Sequence, residues 1–284
     1  MSIIGAKMIK LVILLLGLAI AAAQTESVSE TVKSTFLSNR LINMHTSEPL
    51  YAKTFEFRIG HRFADAKNGF DDMFGLDNGA TMLLALDYGL TDDLRLGFSR
   101  SNERKTYEFN SQYRLFSQSR DENMPASLSV LVAFSNSTTK YLEEKYFFSQ
   151  LIATRKFGKS FSLALAPYYI QRFENKERLI GAQPIYGLAN ALEYKINKHQ
   201  AIVFEWTPFM DMKSVNQNNA GDNEVKFHSL SFGYNIEAGG HTFQIFVSNN
   251  QTASMVRSYL GTNTDFAKGS YHFGFNLTRL FSID

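Results

Sequence analysis

The chain of 284 residues contains no cysteine. That excludes a disulfide framework, a thiolate metal site and thiol catalysis. Tryptophan occurs once and proline five times. A hydrophobic run of spanning length is also missing. The one extended apolar run, Leu11 to Ala23, has thirteen residues, against about 20 for a transmembrane helix. It follows Lys7 and Lys10 and ends in Ala21-Ala22-Ala23 before Gln24. This is the pattern of a cleaved signal peptide over residues 1–23. No Cys follows the cleavage site, so no lipid-anchored N-terminus is expected. Removing the peptide leaves 27 basic and 27 acidic residues. A near-neutral mature chain argues against a nucleic-acid partner.

Aromatic residues, by contrast, are abundant: 25 Phe and 13 Tyr bring the aromatic share to 14%. They fall at a period of two. From Tyr271 the odd positions read Tyr271, Phe273, Phe275, Leu277, Arg279, Phe281 and Ile283. Between them lie His272, Gly274, Asn276, Thr278, Leu280 and Ser282. That alternation is a strand with unlike faces, and its length suits a tilted bilayer crossing of about 9–11 residues. An aromatic-rich strand at the C-terminus is expected to close an outer-membrane barrel and to be read by the barrel-assembly machinery.

Eleven further segments, from Lys53–Phe63 to Thr242–Ser248, have the same character. In the first, Phe55, Phe57, Ile59 and Phe63 oppose Glu56, Arg58, Gly60 and Arg62. Only Tyr146–Lys156 reads ambiguously, with apolar residues on both faces. Tight turns such as Phe157–Ser160 and Asn197–Gln200 alternate with long connections such as Ala64–Gly79 and Asn249–Lys268. That is the periplasm-against-exterior asymmetry of membrane barrels. Two joins break the rule: Ser117–Ala126 is too long and Ser99–Lys105 too short. The expected fold is all-β: a twelve-stranded antiparallel transmembrane β-barrel over residues 51–284. Residues 24–50 precede it as either a periplasmic extension or a plug.

Facing follows from cost. Arg or Lys at the bilayer midplane costs about 2–4 kcal/mol on the lipid side, so the face holding Arg58, Arg62, Arg95 and Arg114 must look inward. Glu56, Asp87, Glu108, Glu193, Glu205 and His272 share that inward parity. These ten residues are the candidate lumen lining, either a structural ion-pair network or a selectivity surface. Tyr88, Tyr107, Tyr113, Tyr169, Tyr186, Tyr194 and Tyr234 are placed at the interfacial girdles.

Several stretches resemble an uncharacterised outer-membrane β-barrel family of Bacteroidota, a domain of unknown function. They include Thr54 to Phe63, Phe74 to Ala80, Leu86 to Asp92, Leu96 to Arg100, Ile236 to Gln244 and Phe273 to Arg279. The resemblance runs from about Thr35 to the C-terminus. It implies a fold and a place, the cell outer membrane, and no reaction.

The leading functional expectation is a passive channel or transporter for small solutes. The alternative is a non-conducting barrel that anchors or docks other envelope proteins. A lipid hydrolase would need a Ser and an orienting group beside His228 or His272. His228 and His61 read more simply as interfacial residues, so no enzyme is expected. No cofactor or metal is expected either: Asp71-Asp72 with Asp77, and Asp222-Asn223-Glu224, match no calcium-loop signature. Membrane lipids are the implied surroundings.

Overall fold

A computed structural model describes residues 30–139, 142–173, 184–211, 215, 225 and 227–283. The expected signal peptide and the Asp222-Asn223-Glu224 cluster lie outside the described residues. Strands β1 (Thr54–Asp65), β2 (Thr81–Gly89), β3 (Leu94–Ser101), β4 (Thr106–Phe116), β5 (Ser127–Thr139) and β6 (Leu142–Phe157) form the first half of the chain. Strands β7 (Phe161–Arg172), β8 (Ile185–Lys195), β9 (Gln200–Thr207), β10 (Ser229–Ala238), β11 (His241–Ser248) and β12 (His272–Ser282) form the second. Each strand pairs antiparallel with its neighbour in sequence, and β12 closes on β1 through pairs such as Phe55 with Phe281 and Ile59 with Leu277. Closure matters because hydrocarbon offers no hydrogen bonds. A barrel gives every strand two partners and leaves no edge.

The outward side chains form an apolar wall. Leu84, Leu86, Phe98, Phe109, Leu165, Trp206, Phe232, Ile245 and Phe275 are all exposed on it. Tyr88 packs on Phe55 at 4.6 Å toward the end where the chain termini lie, and Tyr169 meets Tyr186 at 5.3 Å toward the other. His61 stacks on the exposed Phe275 and so sits in the outer aromatic fringe, while His228 lies edge-on between exposed Trp206 and buried Phe209, at the boundary of wall and interior.

The segment of ambiguous facing, β6, resolves clearly in three dimensions. Tyr146, Phe148, Gln150, Ile152 and Thr154 are buried inside, while Phe147 points out. Its inner face is apolar because it packs on other apolar groups within the lumen, among them Tyr168 and Ile170 of β7. Phe246 of β11 also turns inward. It is flanked in register by Gly233 on β10 and Gly274 on β12. A Cβ at either glycine would press on the Phe246 side chain, so the two glycines make the space this ring occupies.

The two irregular joins have structural work. The long β4–β5 join pairs with the start of the N-terminal segment: Val32 N–H donates to Gln118 O at 2.7 Å, and Arg120 N–H to Glu30 O at 2.9 Å. The short β3–β4 join presents Glu103 and Arg104 to the long connection between β11 and β12 and to β6.

Candidate functional site

The lumen holds two segments of the chain. The first is residues 30–50. It enters and leaves at the end of the barrel where the chain termini lie, with a tight reversal in which Leu41 N–H donates to Met44 O at 2.8 Å. Almost every residue from Thr35 to Leu50 is buried or nearly so. The segment therefore lies inside the barrel as a plug.

The wall grips this plug chiefly by its backbone. Glu193 accepts from Leu37 N–H at 2.8 Å. Glu205 accepts from Asn43 N–H at 2.9 Å and Met44 N–H at 3.2 Å. From the opposite side, Arg58 donates to Leu41 O at 2.7 Å and Ile42 O at 3.0 Å, and Arg62 donates to Ile42 O at 3.3 Å. Gln112 reaches Thr46 O at 2.7 Å, and Gln244 reaches Arg40 O at 3.0 Å. At the entrance, Lys156 and Lys195 both donate to Ser34 O. A chain segment without regular secondary structure buries many main-chain polar groups, and each needs a partner. The inward charges supply them.

Asp87 and Arg95 form a buried ion pair at 3.0 Å, and Arg95 also donates to Asn110 and Gln112. Arg40 of the plug joins this pair, 3.5 Å from Asp87, and donates to His45 Nε2 at 3.0 Å. Because Nε2 accepts, the His45 ring is neutral. Burial, then Arg40, Arg95 and Arg58, keep it so, holding its pKa well below the usual imidazole value. Glu56 is buried beside them, within 3.5 Å of Asn39 Nδ2.

The second lumen segment is the β11–β12 connection. Its single helical turn, Met255–Ser258, is buried. Glu108 of β4 receives the first amides of that turn, Met255 N–H and Val256 N–H at 2.9 Å, together with the Ser254 hydroxyl at 2.7 Å. Arg257 bridges Glu103 at 3.2 Å and Glu144 at 2.7 Å, and Glu144 also takes Arg104 at 3.0 Å. Tyr259 packs on Phe148 and Tyr168 at about 5 Å, the usual spacing of aromatic pairs. Plug and connection meet in one apolar cluster that contains Ile42, Met44, Met255, Val256 and Tyr259.

Of the ten sequence candidates, eight lie in this interior. His272 is inward but at the far rim, with Nδ1 3.1 Å from Phe63 O. Arg114 has inward parity and sits at the near rim, partly exposed, where it pairs with Asp93 of the β2–β3 turn at 2.8 Å. Parity specifies a face but not a depth. Sequence reasoning passed over Arg40, His45, Gln112, Glu144, Gln244, Arg257 and Tyr259. Glu144 has the right parity, but β6 gives no contrast to read it by. The others on segments 30–50 and 249–270 carry no periodic signal.

Among the described residues, no cluster of three or more His, Asp or Glu is placed to hold a metal. In the 66–75 turn, Asp72 instead accepts from Asn68, Asn78 and Gly75 N–H, so it organises its own loop.

A closed antiparallel barrel with an apolar outer wall and a polar interior is an outer-membrane β-barrel. The chain belongs to the membrane bound beta barrel domain family DUF5777, whose profile matches residues 36–281. A solved structure of the NanC porin is similar with a TM-score of 0.50 and 8% identity, over 81% of this chain and 100% of that one. The outer membrane protein Omp33 of Acinetobacter baumannii is similar with a TM-score of 0.45 and 7% identity, over 81% of this chain and 98% of that one. At such identities the likeness concerns fold alone. No curated protein matches the sequence.

Proposed function

We propose that this barrel passes small solutes across the outer membrane, and that residues 30–50 close it at rest. The reading rests on one observation: the plug is held by charged wall residues that bind its main chain. Glu193, Glu205, Arg58 and Arg62 would face water if the plug left, so an emptied lumen is a polar pore and not a collapsed apolar core. The inward Gly, Ala and Ser positions on the wall make the width that the plug fills. In this reading the barrel performs no catalysis. We infer further that the assembly machinery reads β12 and that the chain is a Bacteroidota barrel, a reading supported by sequence stretches such as Thr54 to Phe63 and Phe273 to Arg279.

With the plug displaced, the interior carries Glu56, Asp87, Glu108, Glu144, Glu193 and Glu205 against Arg58, Arg62, Arg95, Arg172 and Arg257, with Lys156 and Lys195 at the entrance. The two signs nearly cancel, so the open state is expected to conduct with weak ion selectivity. The test is single-channel recording in a planar bilayer of the intact chain, of a variant lacking residues 25–50, and of S47C/T154C. The last pair uses two hydroxyls in contact across the plug–wall boundary in a chain with no other Cys. The truncated barrel should conduct with weak ion selectivity. The S47C/T154C chain should be silent when oxidised and regain the openings of the intact protein on reduction. Silence of every form would sink the passage reading and favour a docking role for the barrel.

A further inference from the structure

The far rim of the barrel, opposite the chain termini, holds a cavity of about 410 Å³ between the inturned β11–β12 connection and the ends of β2, β3 and β12. We propose that it binds a small neutral polyhydroxylated molecule, a sugar or polyol. The size is right for such a ligand, because small-molecule pockets run from about 300 to 1,000 Å³.

The lining gives the chemistry. Gln251, Thr252, Asn263 and Thr264 come from the connection, Glu103 from the β3–β4 join and His272 from β12. Amide side chains offer donors and an acceptor, and hydroxyls offer both. That mixed set matches vicinal hydroxyl groups, which also donate and accept. Among the described residues no Phe, Tyr or Trp lines the cavity, so they offer a nucleobase no such ring to stack on. The charges are already spent on each other: Glu103 Oε1 takes Arg257 Nε at 3.2 Å and the Thr252 hydroxyl at 2.9 Å, while Arg257 Nη1 holds Glu144. An anionic or cationic ligand would have to break these pairs before gaining its own.

One group is left over. Glu103 Oε2 is buried and has no hydrogen-bond partner among the described residues. A buried carboxylate oxygen without a donor is costly, and a ligand hydroxyl would satisfy it. His272 is anchored through Nδ1 on Phe63 O, and its Nε2 is only loosely engaged, 3.5 Å from the Thr264 hydroxyl, which leaves that nitrogen for a second hydroxyl. The site is formed by the same connection that fills the upper lumen. A ligand bonded to Glu103 competes with Arg257 for it and loosens the Glu103–Arg257–Glu144 chain that keeps the connection turned in. That consequence rests on the barrel being a solute passage; the binding does not.

The test is saturation-transfer difference NMR on the full chain in detergent micelles, with glucose, maltose and sorbitol as neutral probes and glucuronate and glucosamine as charged ones. The neutral probes should show saturation, and Q251A/N263A should weaken their binding by about tenfold or more. The variant E103Q keeps the shape, removes the carboxylate charge and leaves an amide that can still bond a hydroxyl, so it should weaken the same probes less. Absence of saturation for every neutral probe, a preference for a charged one, or unchanged affinity in both variants would overturn the assignment. Binding without conductance in bilayers would leave the site standing and remove the passage reading. Conductance without binding would do the reverse.

Discussion

The two halves of the lumen wall are built differently. From β1 to β4 the buried inner face carries Glu56, Arg58, Arg62, Asp87, Arg95 and Glu108. From β6 to β8 it is mostly apolar, with Tyr146, Phe148, Ile152, Tyr168 and Ile170 and with Ala164, Ala166, Ala189 and Ala191 between them, and its charges, Glu144, Arg172 and Glu193, lie toward the strand ends. The charged half binds the main chain of the plug and the amides of the inturned connection. The apolar half packs on their side chains and makes them part of one hydrophobic cluster. A lumen filled by loops needs both, because loops bring unpaired backbone as well as apolar side chains. The outside of the barrel, by contrast, is apolar all round.

The sharpest way to break this comparison uses neighbours on β6. Phe148 faces the lumen and is fully buried, while Phe147 faces outward. Phe148→Ala removes the ring that meets Tyr259 and should cost about 3–5 kcal/mol, as other buried Phe-to-Ala changes do. Phe147→Ala leaves a gap that lipid tails refill, so its loss should be smaller. Heat-dependent gel mobility of the folded barrel measures both, and equal losses would mean that the apolar half does not pack as described.

The wall carboxylates that bind the plug, Glu205 of β9 among them, give a smaller and more local effect. Glu205→Ala leaves the amides of Asn43 and Met44 without their acceptor and should cost about 1–3 kcal/mol. The loss should appear as faster hydrogen exchange over residues 41–46, with the barrel's own unfolding little changed. A drop in barrel stability as large as that of Phe148→Ala would show that the plug and wall unfold together.

The smallest effect is that of pH. His45 accepts from Arg40 and faces Arg58 and Arg95, with Asp87 and Glu56 nearby. Docked, the ring is held neutral; released into water it takes a proton more readily. The docked state thus binds fewer protons, and docking weakens as pH falls through and below the ordinary imidazole value of about 6.5. The protection factor over residues 41–46, which takes out the intrinsic pH dependence of exchange, should fall on acidification in the native chain and stay constant in His45→Asn. A pH response that persists in His45→Asn would assign the effect to another group.

Much of the barrel was legible in the residues. Period-two alternation placed all twelve strands, because lipid on one side and polar lumen on the other force unlike faces on each. The alternation failed to orient β6 for the same reason: its inner neighbours are apolar, so both faces read alike. Phe246 was likewise passed over, since its inward place depends on Gly233 and Gly274 across two strand pairs. The misfit of the two joins was visible, but its cause was not. Each join holds a segment that fills the lumen, and those contacts join residues remote in sequence.

The sequence alone determined the class of fold, the lipid-facing wall and the inward parity of most of the charges, because each follows from local pattern and the cost of a charge in hydrocarbon. Only the tertiary structure decided what those charges do. Residues 35–50 and 249–262 have no periodicity of their own. Their place inside the barrel is set by carboxylates and guanidiniums on distant strands whose hydrogen bonds they complete.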